Sequence, residues 1–163
     1  KHFGRGERRN MDRVMRQEEL QEVFDQLLRD AMGKLAGIRL ARLETAPSGD
    51  VCTVWVKFER GFRSSLALCA QSSVFTRLTQ FMTQLDTVAP GDVEDVTKEF
   101  FNVLCGQICS RLYQETKITS RFGIPAFCHG RYQGESLKEQ FTLCYSSERN
   151  EYTELIHQIP AAE

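Results

Sequence analysis

The chain has 163 residues, 41% of them hydrophobic and 26% charged, with a formal net charge of −1, which suits one globular domain with a sizeable core. So small a charge gives no general attraction to nucleic acid or to an anionic membrane surface. The apolar runs are too short to cross a bilayer, and the amino terminus has no apolar stretch of the secretory kind.

Residues 1–16 carry six Lys/Arg against two acids, leaving 15 basic and 20 acidic residues for the remainder. This segment has little to bury and is expected to be a disordered leader or linker, with residues 17–163 forming a single domain. The acidic remainder argues against nucleic-acid binding through it. From Gln17 to about Leu35, Leu20, Phe24, Leu27, Ala31 and Leu35 recur in steps of three and four, with Val23 and Leu28 widening the stripe. That spacing predicts a helix with one buried face, stopped by Gly37. A short extended piece over Ile38–Leu43 follows, before the breaker cluster Ala46-Pro47-Ser48-Gly49-Asp50.

The period then changes to two. In 51-VCTVWVKF-58, Cys52, Val54, Val56 and Phe58 share one face and Thr53, Trp55 and Lys57 the other. With a turn at Glu59-Arg60-Gly61 and a return over 62–70, this reads as an antiparallel hairpin. Gln71-Ser72-Ser73 is a cap for a second helix that gathers Val74, Phe75, Leu78, Phe81 and Met82 on one side. Pro90-Gly91-Asp92 opens a third helix running to Glu115 or Thr116. After Gly123, 124-IPAFCHG-130 is a short strand tolerating Pro125 at its start. Two alternating runs, 139–146 and 151–159, finish the chain around a turn at 147–150. The fold class is α+β: a mostly antiparallel sheet with long helices packed on one face.

The third helix raises the functional question. At 100° per residue, Val93, Val96, Phe100, Leu104 and Ile108 collect on one side, with Val103 close by and Phe101 at the margin. Glu99, Asn102 and Gly106 lie roughly opposite, joined by Asp95 and Tyr113. A Glu/Asn pair three apart is ordinarily a solvated polar face. Glycine is less ordinary, since in a helix interior it costs about 0.5–1 kcal/mol relative to alanine. An acid, an amide and a bare spot on one face would suit docking.

Other chemistry finds little support. The six cysteines, Cys52, Cys69, Cys105, Cys109, Cys128 and Cys144, stand in apolar sequence with no CxxC pair and no zinc-finger spacing. They read as small buried hydrophobes in a reducing, cytoplasmic compartment. His129 and His157 fall on strands and read as half-exposed sheet residues. Cys105 and Cys109, at i,i+4 with no histidine beside them, read as core packing. There is no P-loop, GxGxxG or HExxH, and aromatic residues do not interleave with basic ones as an RNA-binding sheet requires.

The run Glu99-Phe100-Phe101-Asn102 with Gly106, then Leu112 and the later Gly-Ile-Pro-Ala-Phe-Cys-His-Gly, resembles the CheX/CheC family of chemotaxis phosphatases. That family carries an E-x-x-N motif on a helix, commonly with a glycine four residues after the Asn, and then a proline-containing strand. The order of hairpin, short helix and closing strands agrees over roughly residues 17–159, as one unit with one motif. The resemblance implies a phosphatase for the aspartyl phosphate of a CheY-type response regulator. Glu99 and Asn102 would be its functional pair, and Asp95, Lys98, Phe101 and Gly106 would surround them at the partner. It implies no cofactor of the chain's own, Mg²⁺ in the partner, and a possible homodimer through the closing strands as sheet edges. Here two phenylalanines separate the Glu from the Asn, where the family tends to include a small residue, and Lys98 replaces what is often a small one. The alternative is a non-catalytic module of the same fold that binds a receiver domain. Phe101 separates the two: turned inward it leaves the surface open, and turned outward it favours the binding module.

Overall fold

The computed structural model describes residues 15–44, 49–61, 64–132 and 137–160. The basic segment lies almost wholly outside them, as do Ala46, Pro47 and Ser48 of the breaker cluster. The elements in chain order are α1 (Gln17–Ala36), β1 (Leu40–Leu43), β2 (Val51–Arg60), β3 (Ser65–Gln71), α2 (Ser72–Thr83) and α3 (Pro90–Thr116). Four strands follow: β4 (Arg121–Phe122), β5 (Ala126–His129), β6 (Leu137–Ser147) and β7 (Tyr152–Pro160).

Local chemistry accounts for the boundaries. Gly37 ends α1 in the left-handed region, φ 65°, and a Cβ there would meet the Phe81 ring at 2.6 Å. No other residue supplies both that backbone and that closeness. Pro90 occupies the first turn of α3, where its missing N–H is not needed, and the Asp92 carboxylate accepts the Ala89 N–H at 3.2 Å. At α2 the expected side-chain cap is absent. The Gln71 carboxamide oxygen is instead engaged by the Tyr152 N–H at 2.6 Å, tying β7 to the start of α2.

The strands form one antiparallel sheet in the order β1-β6-β7-β3-β2-β4, with β5 also pairing β2. Cys52, Val54, Val56 and Phe58, the expected inner face of β2, join Leu66, Leu68, Leu143, Tyr145 and Leu155 under the helices. Phe24 and Leu28 of α1, Phe75 and Leu78 of α2, and Phe100 and Leu104 of α3 close this core from above. Each such side chain contributes about 1.5–3 kcal/mol by leaving water.

The opposite face is covered too, over part of its area. Residues 130–132 lie against it: Thr53 Oγ1 donates to the Gly130 carbonyl at 2.7 Å, and the Tyr132 ring packs 5.2 Å from Trp55. Arg131 donates to Glu154 at 2.7 Å, and the Tyr152 hydroxyl also bonds that carboxylate. A second apolar cluster of Val51, Ala67, Cys69, Tyr152 and Ile156 lies on this side.

Four sequence-based placements need correction. Of the closing strands, β7 is not a free edge, since it lies between β3 and β6, whereas β6 is bordered on its outer side by β1 only over Cys144–Ser147, and residues 137–143 have no strand on that side among the described residues. Phe81 is 46% exposed, because α1 ends at Gly37 beneath it; Thr79 is buried in the core instead, its hydroxyl returned to the Phe75 carbonyl. His157 is only 2% exposed, not half-exposed, since its side of β7 faces α1. Val103 is 41% exposed and Phe101 wholly buried, the reverse of the expected tilt of α3.

Candidate functional site

α3 is the longest helix among the described residues, 27 residues, and it packs against α1, α2 and the sheet through β2 and β5. Its buried positions are Thr97, Phe100, Phe101, Leu104, Cys105, Ile108 and Leu112. They recur in steps of one, three and four, a wide stripe for a helix covered on two sides. The opposite side is exposed at Asp95, Glu99, Asn102 and Val103.

On that side Glu99 and Asn102 are both exposed. Three residues apart on a helix, their Cβ atoms stand about 5–6 Å from one another. Neither side chain has a hydrogen bond or ion pair to another described residue. The two residues between them, Phe100 and Phe101, have no exposed surface. The motif thus divides by alternation: the polar ends point to solvent, and the aromatic middle anchors the helix.

The other expected site residues distribute around this pair. Asp95 is exposed one turn before Glu99. Lys98 is partly buried and bonded to Glu94 at 3.1 Å, an i,i+4 pair on the flank. Gly106 is partly exposed one turn after Asn102, and a Cβ there would meet nothing within 4 Å. Phe101 cannot touch a partner from the core. Val103, which the sequence places close to the apolar side, is exposed beside Asn102 instead. The pattern could have revealed this, because the full stripe from Thr97 to Leu112 is centred nearer to Phe101 and Cys105 than to Val103.

The chemistry available is that of an acceptor-donor amide beside a carboxylate on a rigid scaffold. The amide oxygen accepts a hydrogen bond, its NH₂ donates, and the carboxylate attracts a cation. Among the described residues no group of three or more His, Cys, Asp and Glu is placed to hold a metal ion, and no helix is long and apolar enough to cross a membrane. All six cysteines are free thiols. Burial pushes Cys105 up, and Cys109 to about 11, so neither is an activated nucleophile. Burial lowers His157 to about 4, leaving it neutral between Phe24 and Phe141. An open cleft of about 440 Å³ lies at the other end of α2, beside Arg77, Phe81 and Leu85. Arg77 there is held by Glu148 at 2.8 Å and Glu151 at 2.9 Å.

Residues 52–143 match the family model described as chemotaxis phosphatase CheX. The fold is similar to that of a chemotaxis protein CheX from Desulfovibrio desulfuricans, with a TM-score of 0.71, 17% identity, and coverage of 86% of this chain and 99% of that one. A chemotaxis protein CheX from Vibrio vulnificus gives 0.67 at 17% identity, covering 85% and 96%. The structure of a CheX–CheY–BeF₃–Mg²⁺ complex from Borrelia burgdorferi gives 0.63 at 13% identity, covering 91% and 99%. No curated protein matches the sequence.

Proposed function

The chain belongs to the CheX family of chemotaxis phosphatases, and from that premise we propose that it accelerates hydrolysis of the aspartyl phosphate of a CheY-type response regulator. One observation carries the proposal: Glu99 and Asn102 stand exposed and unengaged on one face of α3, while Phe100 and Phe101 between them are buried. An outward Phe101 would have favoured a module that only binds. Its inward position leaves the face open for an approach close enough for chemistry.

The reaction needs little from this chain. The receiver brings the acyl phosphate and the Mg²⁺ beside it. Water attacks the phosphorus, the bond to the aspartate oxygen breaks, and the products are a free carboxylate and inorganic phosphate. An amide is too weak a base to take the proton. Asn102 acts by orientation, its oxygen accepting from the attacking water and its NH₂ donating toward the phosphoryl group, so that the nucleophile is held in line. Glu99 pairs with a cation near the receiver's phosphorylation site and fixes the approach. Asp95, Lys98 and Gly106 border the same contact. A hundredfold acceleration requires about 2.7 kcal/mol of barrier lowering, which positioning alone can supply.

The test is the decay of a phosphorylated CheY-type receiver with Mg²⁺, with and without the protein, beside Asn102→Ala. Acceleration that disappears in the variant supports the assignment. Unchanged decay despite a measurable complex would make the chain a binding module.

A further inference from the structure

Cys52 and His129 are direct cross-strand partners on β2 and β5. On the helix side of the sheet, the Cys52 Sγ stands 3.4 Å from His129 Nδ1 and 3.4 Å from the Ser72 hydroxyl. Ser72 is the first residue of α2, and its hydroxyl donates to Asp50 Oδ2 at 3.3 Å. The His129 ring is steadied by an edge-on contact with Phe127 at 5.6 Å. A chain of four polar side chains, Asp50, Ser72, Cys52 and His129, therefore joins two strands and the start of α2, away from the motif on α3.

A cysteine serving only as a small hydrophobe gains nothing from an imidazole and a hydroxyl on its sulfur. Among the described residues, no other thiol has a hydrogen bond to an imidazole. Burial pushes up Cys69, Cys105, Cys109 and Cys128, and Cys144 reaches only the Tyr152 hydroxyl at 4.0 Å. At Cys52 the imidazole is placed to take the thiol proton during attack. The positive end of α2, which has no side-chain cap, lies beside the anion that results. His129 and Asp50 are exposed and Ser72 is half-buried, so Cys52, itself 4% exposed, lies one side chain below the surface. A small oxidant reaches that depth, and a thiol carried by another protein does not.

We propose that Cys52 is an oxidative modification site, with a small hydroperoxide as its substrate and His129 as its proton acceptor. Nδ1 accepts in the tautomer that carries its hydrogen on Nε2. The S–H bond breaks as the proton passes to Nδ1. The sulfur attacks one peroxide oxygen, and the S–O bond forms as the O–O bond breaks. The departing hydroxide takes the proton from the imidazolium and leaves as water. The thiol is oxidised to a sulfenic acid, and hydrogen peroxide is reduced to water.

The test exposes the reduced full chain to hydrogen peroxide for increasing times, removes the peroxide with catalase, and unfolds the chain in urea containing dimedone. Unfolding gives the trap equal access to every sulfenic acid, and peptide mass spectrometry ranks the six cysteines. Cys52 is expected to be oxidised about tenfold faster than Cys128 or Cys144. His129→Asn, at an exposed position, is expected to keep the parent melting temperature and to slow Cys52 by about tenfold while the other five keep their rates. Cys52→Ser supplies the background. Oxidation of Cys52 within about twofold of Cys128 or Cys144 would overturn the proposal. So would a His129→Asn protein in which Cys52 keeps its rate. The ranking is read on the parent alone, so it decides the matter even where His129→Asn melts lower.

Discussion

Asn102 and Phe101 are consecutive on α3, yet Asn102 is exposed while Phe101 is sealed within the core. Their substitutions should therefore fail in different ways. Asn102→Ala removes no buried contact, so denaturant unfolding is expected to stay within about 0.5 kcal/mol of the parent. Dephosphorylation of the receiver is expected to lose its acceleration. Phe101→Ala leaves a cavity and is expected to cost about 3–5 kcal/mol. The two proteins are compared by urea titration and receiver decay in the same buffer. An Asn102→Ala protein as active as the parent would remove the amide from the mechanism.

Glu99 is assigned an electrostatic contact with a cation on the receiver, and its charge is the property to test. Glu99→Gln keeps the shape and removes the charge. It is expected to raise KM by about tenfold at low salt, while folding is untouched because the side chain is exposed and unpaired. The gap between variant and parent should narrow as salt is raised, since a rim charge is screened. A gap independent of salt would assign Glu99 a shape role.

Much of the architecture was readable because its signals were local. The heptad-like steps from Leu20 to Leu35 with Gly37 behind them bound α1 to within a residue, and Pro90-Gly91-Asp92 marks the start of α3. The alternation Cys52, Val54, Val56, Phe58 identifies the inner face of β2. Strand order was not readable, because nothing local says that β7 enters between β3 and β6. Covering of the outer face by Arg131 and Tyr132 was hidden for the same reason. At the candidate site, the Glu99/Asn102 pair was legible from residue type and spacing. Phe101 and Val103 were misplaced because the wheel was centred on Val93, Val96, Phe100, Leu104 and Ile108, whereas α3, packed both by helices and by the sheet, centres its buried stripe nearer Phe101 and Cys105.

Tyr145 donates its hydroxyl to Asp25 Oδ1 at 2.6 Å, tying β6 to α1, with Arg29 on the same oxygen at 3.1 Å. Tyr145→Phe keeps the buried ring and is expected to cost about 1.5 kcal/mol, the low end for a bond to a charged group, because Asp25 keeps access to water. Burial, reinforced by Asp25, holds the phenol above its ordinary value of 10. The unfolded chain therefore releases this proton first, and stability should decline as pH rises above about 10. Tyr152, raised by burial and by Glu154, adds to that slope. Unfolding by denaturant from pH 8 to 11 is expected to show a shallower decline in Tyr145→Phe than in the parent. Equal slopes would refute the coupling.

His157 gives the opposite dependence, on the acid side. Its ring packs edge-on against Phe24 at 5.3 Å and beside Phe141 at 4.9 Å, and neither nitrogen has a hydrogen-bond partner among the described residues. Burial lowers its pKa from 6.5 to about 4. Above pH 6.5 the ring is neutral in both states and costs nothing through protonation. Below it the unfolded chain takes up a proton that the folded chain refuses, so stability falls until the folded pKa is reached. At 1.36 kcal/mol per unit, the loss is about 2 kcal/mol by pH 5. Glu148, held down chiefly by Arg77, and Glu151, held down by the Ser73 and Ser147 hydroxyls and then by Arg77, add their own loss as pH falls through their ordinary value of 4.5. The window from 6.5 to 5 therefore isolates the histidine. His157→Phe retains an aromatic ring without orphaned nitrogens and is expected to flatten that window in urea titrations at fixed ionic strength. A variant that keeps the full slope would place the acid sensitivity elsewhere in the chain.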